Sequence, residues 1–259
     1  MSFGTTLRSL AKRTLPRSLL TRLAWVEQQL NAARFTVRHR GRTDYRVDFD
    51  QRSLRKAKAV ILWRDDWQQA TRATLDILDR VGLVHDGATV VDYGCGIGRI
   101  TRALRERYNV RVIAVDRSAP MRDHARGYLP GDDLRSGDVR IISDSELMGQ
   151  RELQGRVQCI LMIEVLQHIP EPILDQLLPE LVGMLKPHGK LFVLGNNSLD
   201  VDRNGNSGSP IEPVLSRHVR IERHDRWTSG FAYARHSFIG APFSSDGRQD
   251  GPDRTSVNP

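Results

Sequence analysis

Between Val90 and Thr101 the chain reads Val-Val-Asp-Tyr-Gly-Cys-Gly-Ile-Gly-Arg-Ile-Thr, with Gly94, Gly96 and Gly98 spaced one residue apart. Glycines at such a bend let the backbone turn tightly and approach a ligand closely. A helix starting just beyond them offers unpaired N–H groups and the positive end of its dipole. The spacing is G-x-G-x-G, which differs from the G-x-G-x-x-G fingerprint of dinucleotide sites. Asp92, two residues before the first glycine, would repel a pyrophosphate but can hold a cationic amino group, directly or through water. Asp116 follows a second apolar run, Val112–Val115. A carboxylate at a strand tip can accept both hydroxyls of a ribose, and capping the helix that starts near Pro120 would be compatible with that role. Asp144 follows a third run and either reaches an adenine amino group or caps a helix. Together these residues point to a nucleoside that carries positive charge.

The elements that must position them alternate. Thr89–Tyr93, Val110–Val115, Val139–Ile142, Gln158–Ile163 and Lys190–Leu194 are short apolar or β-branched runs, as expected of buried parallel strands. Ile100–Tyr108, Pro120–Tyr128, Ser145–Glu152 and Ile173–Leu185 have helical character, and Val60–Gly82 forms a helix, or a short strand-turn and a helix, stopped by Gly82. Strand, helix, strand repeated in this way predicts an α/β domain with a mostly parallel sheet covered on both faces. Ile221–Arg223 and Tyr233–Ile239 would add an edge hairpin. From about Ser244 the chain is nearly free of apolar residues and reads as a disordered tail.

The charge is unevenly placed. The chain has 259 residues, 39 Lys plus Arg and 31 Asp plus Glu, for a net charge of +8. Residues 1–64 hold 15 Lys and Arg but 4 Asp and Glu, so the remainder is net acidic. Leu7, Leu10, Leu19, Leu20, Leu23 and Leu30 recur near helical spacing among Arg8, Lys12, Arg13, Arg17 and Arg22, interrupted by Pro16. Such a basic amphipathic helix packs on the main domain, lies on an anionic membrane surface, or meets nucleic acid. Its acid-free first 26 residues also fit an organellar transit peptide, whereas a secretory leader would need a continuous apolar core. No apolar stretch reaches the roughly 18 residues needed to span a bilayer. Cys95 and Cys159 make neither a disulfide framework nor a zinc spacing, so a reducing, cytoplasmic setting is the default, with peripheral membrane contact through the extension.

This set of motifs resembles the class I S-adenosylmethionine-dependent methyltransferases. The likeness covers about Val60 to Phe243. It rests on Val90–Gly98, on Val115-Asp116-Arg117-Ser118-Ala119-Pro120-Met121, on Asp144, on Ile163-Glu164-Val165-Leu166-Gln167-His168-Ile169-Pro170 and on Leu185–Val193 with its Lys186-Pro187-His188-Gly189 turn. The resemblance implies a Rossmann-like seven-stranded sheet whose last strand is antiparallel, with S-adenosylmethionine as cofactor. It implies that Gly94 and Gly96 face the methionine portion, Asp116 the ribose, and Asp144 with Ser145 the adenine end. Met121 packs nearby, and Asp92, Gly98, Arg117 and Ile163 complete the cofactor-binding set. The chain is thereby divided into a basic extension at 1–59, the methyltransferase domain at 60–243, and the tail at 244–259.

Ligands of open α/β sheets bind outside the carboxyl ends of the strands, which places Glu164, Gln167 and His168 at the acceptor pocket. An alcohol or phenol gains nucleophilicity on losing its proton, and a neutral imidazole suits that task. His168 is thus a candidate general base, with a helix-capping or rim role as the alternative. Glu164 is the second candidate catalytic residue. The run is similar to the E-x-x-E-H segment of ubiquinone-biosynthetic O-methyltransferases, whose acids and His are associated with a divalent metal. Here Gln167 replaces the second acid, and an amide is a poorer ligand for a hard cation, so no metal is expected. His218, His224 and His236 are scattered in sequence.

Trp63-Arg64-Asp65-Asp66-Trp67 either docks by its two Trp or folds over the cofactor, with Arg64 meeting its carboxylate. The chain lacks an N/D-P-P-Y/F tetrapeptide after the fourth strand, which argues against methylation of nucleic-acid bases. The expectation is methyl transfer to an oxygen of a small-molecule or lipid-linked acceptor of quinone or glycan type. The alternatives are N-methylation and an RNA- or membrane-docking protein that uses the fold mainly to bind the cofactor. Glycine spacing and the absence of a hydride site argue against a nicotinamide-dependent oxidoreductase.

Overall fold

In the computed structural model the described residues are 64–195, 210–227 and 235–243, and for residues 64–67 the backbone alone is described. The basic extension, the tail from Ser244, Trp63 and the side chains of Arg64–Trp67 therefore lie outside the described side chains.

Seven strands form one sheet in the order β3-β2-β1-β4-β5-β7-β6. They are β1 (Thr89–Tyr93), β2 (Arg111–Val115), β3 (Val139–Ile142), β4 (Val157–Ile163), β5 (Leu185–Gly195), β6 (Arg220–Trp227) and β7 (Arg235–Ala241). The first five are parallel, with Val90 beside Val112 and Cys159, and Leu161 beside Phe192. β7 runs antiparallel to both β5 and β6, so the predicted edge hairpin is present and longer than the apolar run at Ile221 suggested. The missed part of β6, His224 to Trp227, alternates polar residues along an exposed edge, where apolar patterning gives no signal.

The helices are α1 (Arg64–Val81), α2 (Arg99–Arg107), α3 (Ala119–Tyr128), α4 (Gly131–Ser136), α5 (Asp144–Met148), α6 (Glu171–Met184) and α7 (Ile211–Leu215). Leu78 of α1, Leu104 of α2 and Ala125 of α3 are inaccessible to solvent and share a core cluster with Val90, Val112, Leu161 and Phe192. The alternate strand positions Val91, Ile113, Ile160, Met162 and Phe238 are equally buried, as the period of two requires when both faces are covered. On that principle their uninterrupted β-branched content is what made the central strands legible. Fully burying one such side chain contributes roughly 1.5–3 kcal/mol.

Three local expectations change. The helix expected over Ser145–Glu152 is split into α5 and a 3-10 turn at Arg151–Leu153. Asp144 does not cap α5. Ser143 does, accepting from the Glu146 N–H at 3.2 Å while Glu146 accepts from the Ser143 N–H at 2.7 Å, a reciprocal capping box. Nor is Asp116 the cap of α3, because Ser118 holds that position. The short helices α4 and α7 carry too few turns to show a 3.6-residue pattern and were not anticipated.

Candidate functional site

The site assembles at the carboxyl ends of β1, β2 and β4. After Tyr93 the chain turns back under β2, with the Gly94 and Cys95 N–H groups donating to the Val115 carbonyl at 2.7 and 2.9 Å. Gly94, Gly96 and Gly98 all have positive φ, at 78°, 55° and 82°. Their surroundings differ. A Cβ on Gly94 would lie 2.2 Å from Val165 Cγ2, so this glycine permits the β1 turn to touch the segment after β4. A Cβ on Gly98 would press on Leu129 at 3.2 Å. Around Gly96 no atom of the described residues lies within 4 Å of that position. The middle glycine alone therefore presents open backbone.

Asp116 braces this bend. Its Oδ2 accepts from the Gly96 N–H at 2.8 Å and its Oδ1 from the Ser118 N–H at 2.9 Å. Burial raises its pKa, and those two N–H groups, with Arg122 and Arg117, work against the rise. An ionised carboxylate has about four acceptor sites. Two are engaged, which leaves capacity for the vicinal hydroxyls that the sequence reading assigned to it. Arg122 Nη1 donates to the carbonyls of Asp116 and Arg117 at 2.7 and 2.9 Å and fixes that turn. Met121 is half-buried beyond it, its N–H 3.5 Å from Ser118 Oγ.

Asp92 sits deeper than its sequence role required. It is 2% exposed, and its Oδ2 accepts from Thr101 Oγ1 at 2.6 Å. Burial pushes its pKa up to about 6, opposed by the Thr101 bond and the Arg99 charge. Asp92 therefore ties β1 to α2 and sets the field under the glycine bend. Cys95 is buried, and desolvation aided by Asp92 raises its thiol pKa far up, which disfavours a thiolate nucleophile there.

At the end of β4, Ile163 is 8% exposed and Glu164 follows with φ 58°, the one non-glycine with positive φ among the described residues. Such a conformation costs on the order of 1–2 kcal/mol. Long-range contacts hold it. Arg235, at the start of β7, forms an ion pair with Glu164 Oε1, Gln167 Nε2 donates to Oε2 at 3.0 Å, and the Glu164 N–H donates to the Leu194 carbonyl at 2.7 Å. Gln167 is 2% exposed, and its Oε1 has no hydrogen-bond partner among the described residues. His168 closes the 3-10 turn Leu166–His168 and is exposed at the rim.

Asp144 and Ser145 lie at the start of α5, with the Ser145 N–H donating to Asp144 Oδ1 at 3.0 Å. The structure thus brings Asp92, the three glycines, Asp116 and Ile163 to one edge, with Arg117 and Met121 just beyond β2 and Asp144 and Ser145 just beyond β3. Sequence reasoning missed Arg235, whose partner is 71 residues away, and Arg99, Thr101 and Val165. The Arg after the third glycine was visible but carried no assigned task. Among the described residues no group of three His, Cys, Asp or Glu side chains is placed to hold a metal ion, and no helix is long and apolar enough to cross a membrane.

A strand order 3-2-1-4-5-7-6 with a glycine-rich first bend braced by a carboxylate just past the second strand is the architecture of a class I methyltransferase domain. Residues 90–189 match the family model described as a methyltransferase domain, and the chain carries a class I S-adenosylmethionine-dependent methyltransferase domain. Trans-aconitate 2-methyltransferase of Azoarcus sp. (strain BH72) is 39% identical over 126 residues, covering 48% of this chain and 45% of that protein. Ubiquinone biosynthesis O-methyltransferase of Xanthomonas axonopodis pv. citri (strain 306) is 31% identical over 110 residues, 41% of this chain and 42% of that one. The chain thus spans less than half the length of these curated relatives. The crystal structure of magnesium protoporphyrin IX methyltransferase from Synechocystis PCC 6803 with bound SAH shares the fold, with a TM-score of 0.51 at 18% identity over 70% of this chain and 85% of that one.

Proposed function

We propose that this chain transfers the methyl group of S-adenosylmethionine to an oxygen of a small-molecule acceptor. The observation that carries the reading is the open backbone at Gly96, held by the Asp116 carboxylate beside it. Those residues fit the cofactor's chemistry: a bend without a side chain to admit a nucleoside, and a carboxylate with acceptor capacity left for ribose hydroxyls. When bound, the sulfonium supplies an activated methyl group, so the protein's task is alignment, and positioning two reactants is worth roughly 7–11 kcal/mol of barrier.

The chain's own residues divide that task. Asp116 orients the nucleoside. Asp92, beneath the bend, favours a cationic ligand end. Glu164, already neutralised by Arg235, shapes the acceptor wall and does not act as a free base. His168 stands at the rim, where it can take the acceptor's proton and pass it to water. Oxygen as the methylated atom is supported by the Glu164 and His168 likeness and by the ubiquinone-type relative. A lipid-linked acceptor is supported by the basic stretch at 1–59, which would meet an anionic surface.

Incubating the full chain with labelled S-adenosylmethionine and a cell extract, then identifying what is labelled, tests the reading directly. Label on a hydroxyl or carboxyl oxygen of a small molecule is the expected result. Label on nitrogen would overturn the oxygen assignment, and no label with no calorimetric binding of S-adenosylhomocysteine would overturn the whole. Asp116→Ala should weaken that binding by about 10- to 100-fold, the worth of a charge-assisted hydrogen bond. His168→Ala should leave it unchanged while turnover falls.

A further inference from the structure

His224 and His236, separate in sequence, meet on the edge hairpin. His224 pairs with Phe238 and Arg226 with His236 across β6 and β7, so the alternation of side chains puts both imidazoles on one face. His224 Nε2 and His236 Nδ1 lie 2.9 Å apart, and the His224 ring stacks on the buried Phe238 with centroids 4.1 Å apart. On its other side His224 Nδ1 lies 3.4 Å from Glu212 Oε2 of α7. Among the described residues the charged groups facing the pair are that carboxylate and Arg226, while β5 presents Gly195 there, without a side chain. Two ring nitrogens at that distance share one hydrogen. With both rings neutral, an N–H of one donates to the lone pair of the other. A proton added to His224 keeps the bond, because Nε2–H then donates to His236 Nδ1 while the charge faces Glu212. A further proton on His236 sets N–H against N–H, and the bond is lost. Partial burial, then the charges of His224 and Arg226, lower the His236 pKa from its ordinary 6.5, in line with that conflict.

The pair closes the end of the hairpin from which Arg235 reaches Glu164. Arg235 is the first residue of β7, and among the described residues its sheet partner is Trp227 alone, since pairing with β5 begins one residue later at His236. Its placement therefore depends on β6 and β7 staying together at this end. On the face of Arg235, Trp227 Nε1 donates to Ser237 Oγ at 2.7 Å, a contact that does not titrate. On the opposite face the contact is the imidazole pair. We infer that His224 and His236 position Arg235 for its ion pair with Glu164, and that they release it when both rings carry a proton. The inference rests on the reading of Glu164 as part of the acceptor wall. The acceptor side of the ligand edge would thus loosen in mild acid, through groups that touch neither the cofactor nor the acceptor.

The test follows two signals by NMR on the full chain labelled with ¹⁵N, from about pH 8 to about pH 5.5, above the ordinary carboxylate range. They are the ring nitrogens of His236 and the Nε–H of Arg235, assigned by their loss in His236→Gln and Arg235→Lys. The Arg235 signal should hold an ion-paired position at the alkaline end and move toward that of a solvated arginine as His236 takes its proton, with the same midpoint, below about 6.5. His236→Gln cannot acquire the charge, so its Arg235 signal should stay in place throughout. His224→Phe keeps the stacking on Phe238 but removes the bond, and should displace the Arg235 signal already at the alkaline end. In the wild type, a His236 that titrates while the Arg235 signal stays still would overturn the inference. So would an Arg235 shift that persists in His236→Gln, since Asp92 or another group would then be its cause, or a His224→Phe variant with the wild-type signal. None of these signals needs cofactor or acceptor, so failure here is distinct from failure of the methyl-transfer reading, which the labelling experiment decides.

Discussion

The two halves of the ligand edge are built by different means. On the side of β1 and β2, the working surface is backbone: a bend at Gly94–Gly98, N–H groups pinned on Val115 and Asp116, and one deep carboxylate at Asp92. On the side of β4, β5 and β7, it is side chains: Glu164 in a strained conformation, clamped by Arg235 from an antiparallel strand and by Gln167. Backbone suits a ligand that is always the same. Side chains can be exchanged without disturbing the bend, which suits the part of a site that varies with the acceptor.

The sharpest way to break this division is at the point where the halves touch. Gly94→Ala should place a Cβ 2.2 Å from Val165 Cγ2 at a φ of 78°. Steric strain and the conformational penalty together make a loss of about 2–5 kcal/mol of stability the expected outcome, measured by urea unfolding. Adding Val165→Ala should return the steric share and leave the conformational share. A double variant no better than the single one would mean that the halves do not meet there.

Asp92→Asn sharpens the backbone half. The folded pKa of Asp92 is raised from 3.8 to about 6, so its ionised form is penalised in the folded state. Stability from this group is therefore full below about pH 4, declines between pH 4 and 6, and stays low above. Asp92→Asn should equal the wild type near pH 4 and exceed it by up to about 3 kcal/mol above pH 6.5, from thermal melts across pH. A gap independent of pH would remove the claim that desolvation dominates there. The variant should gain this stability while binding S-adenosylhomocysteine less well.

The smallest effect tests the side-chain half. A double-mutant cycle of Arg235→Met and Glu164→Gln should give a coupling of about 1 kcal/mol in stability, modest because Glu164 is 35% exposed at its side chain. Turnover should fall in each single variant while cofactor affinity holds. A parallel fall in cofactor affinity would mean the two halves are not separable.

The same division explains what could be read from the chain. Val90–Val91 and Val112–Val115 announce buried strands, and the glycine bend with Asp116 follows from a grammar confined to about thirty residues. The antiparallel last strand came with the family resemblance, and the strand order came from the structure, since no local pattern states it. Glu164 was noticed by its neighbours in sequence, yet its partner Arg235 could not be, because only the return of β7 beside β5 brings position 235 to that edge. Asp144 and Asp116 were each weighed as caps, and in each case a serine nearby has that role, Ser143 and Ser118. Serine competes well for N-caps, which leaves both acids free of that role. Arg99 shows a different limit: a charged residue after a glycine motif reads as surface until its burial is known.

Asp116 spans two segments before any ligand arrives. Because it already fixes the amides of Gly96 and Ser118, the bend does not have to be ordered during an encounter, and its conformational entropy was given up at folding. A guest would meet a rigid rim, so the half around β1 and β2 should capture it with little rearrangement, and any slow step would have to arise elsewhere in the molecule.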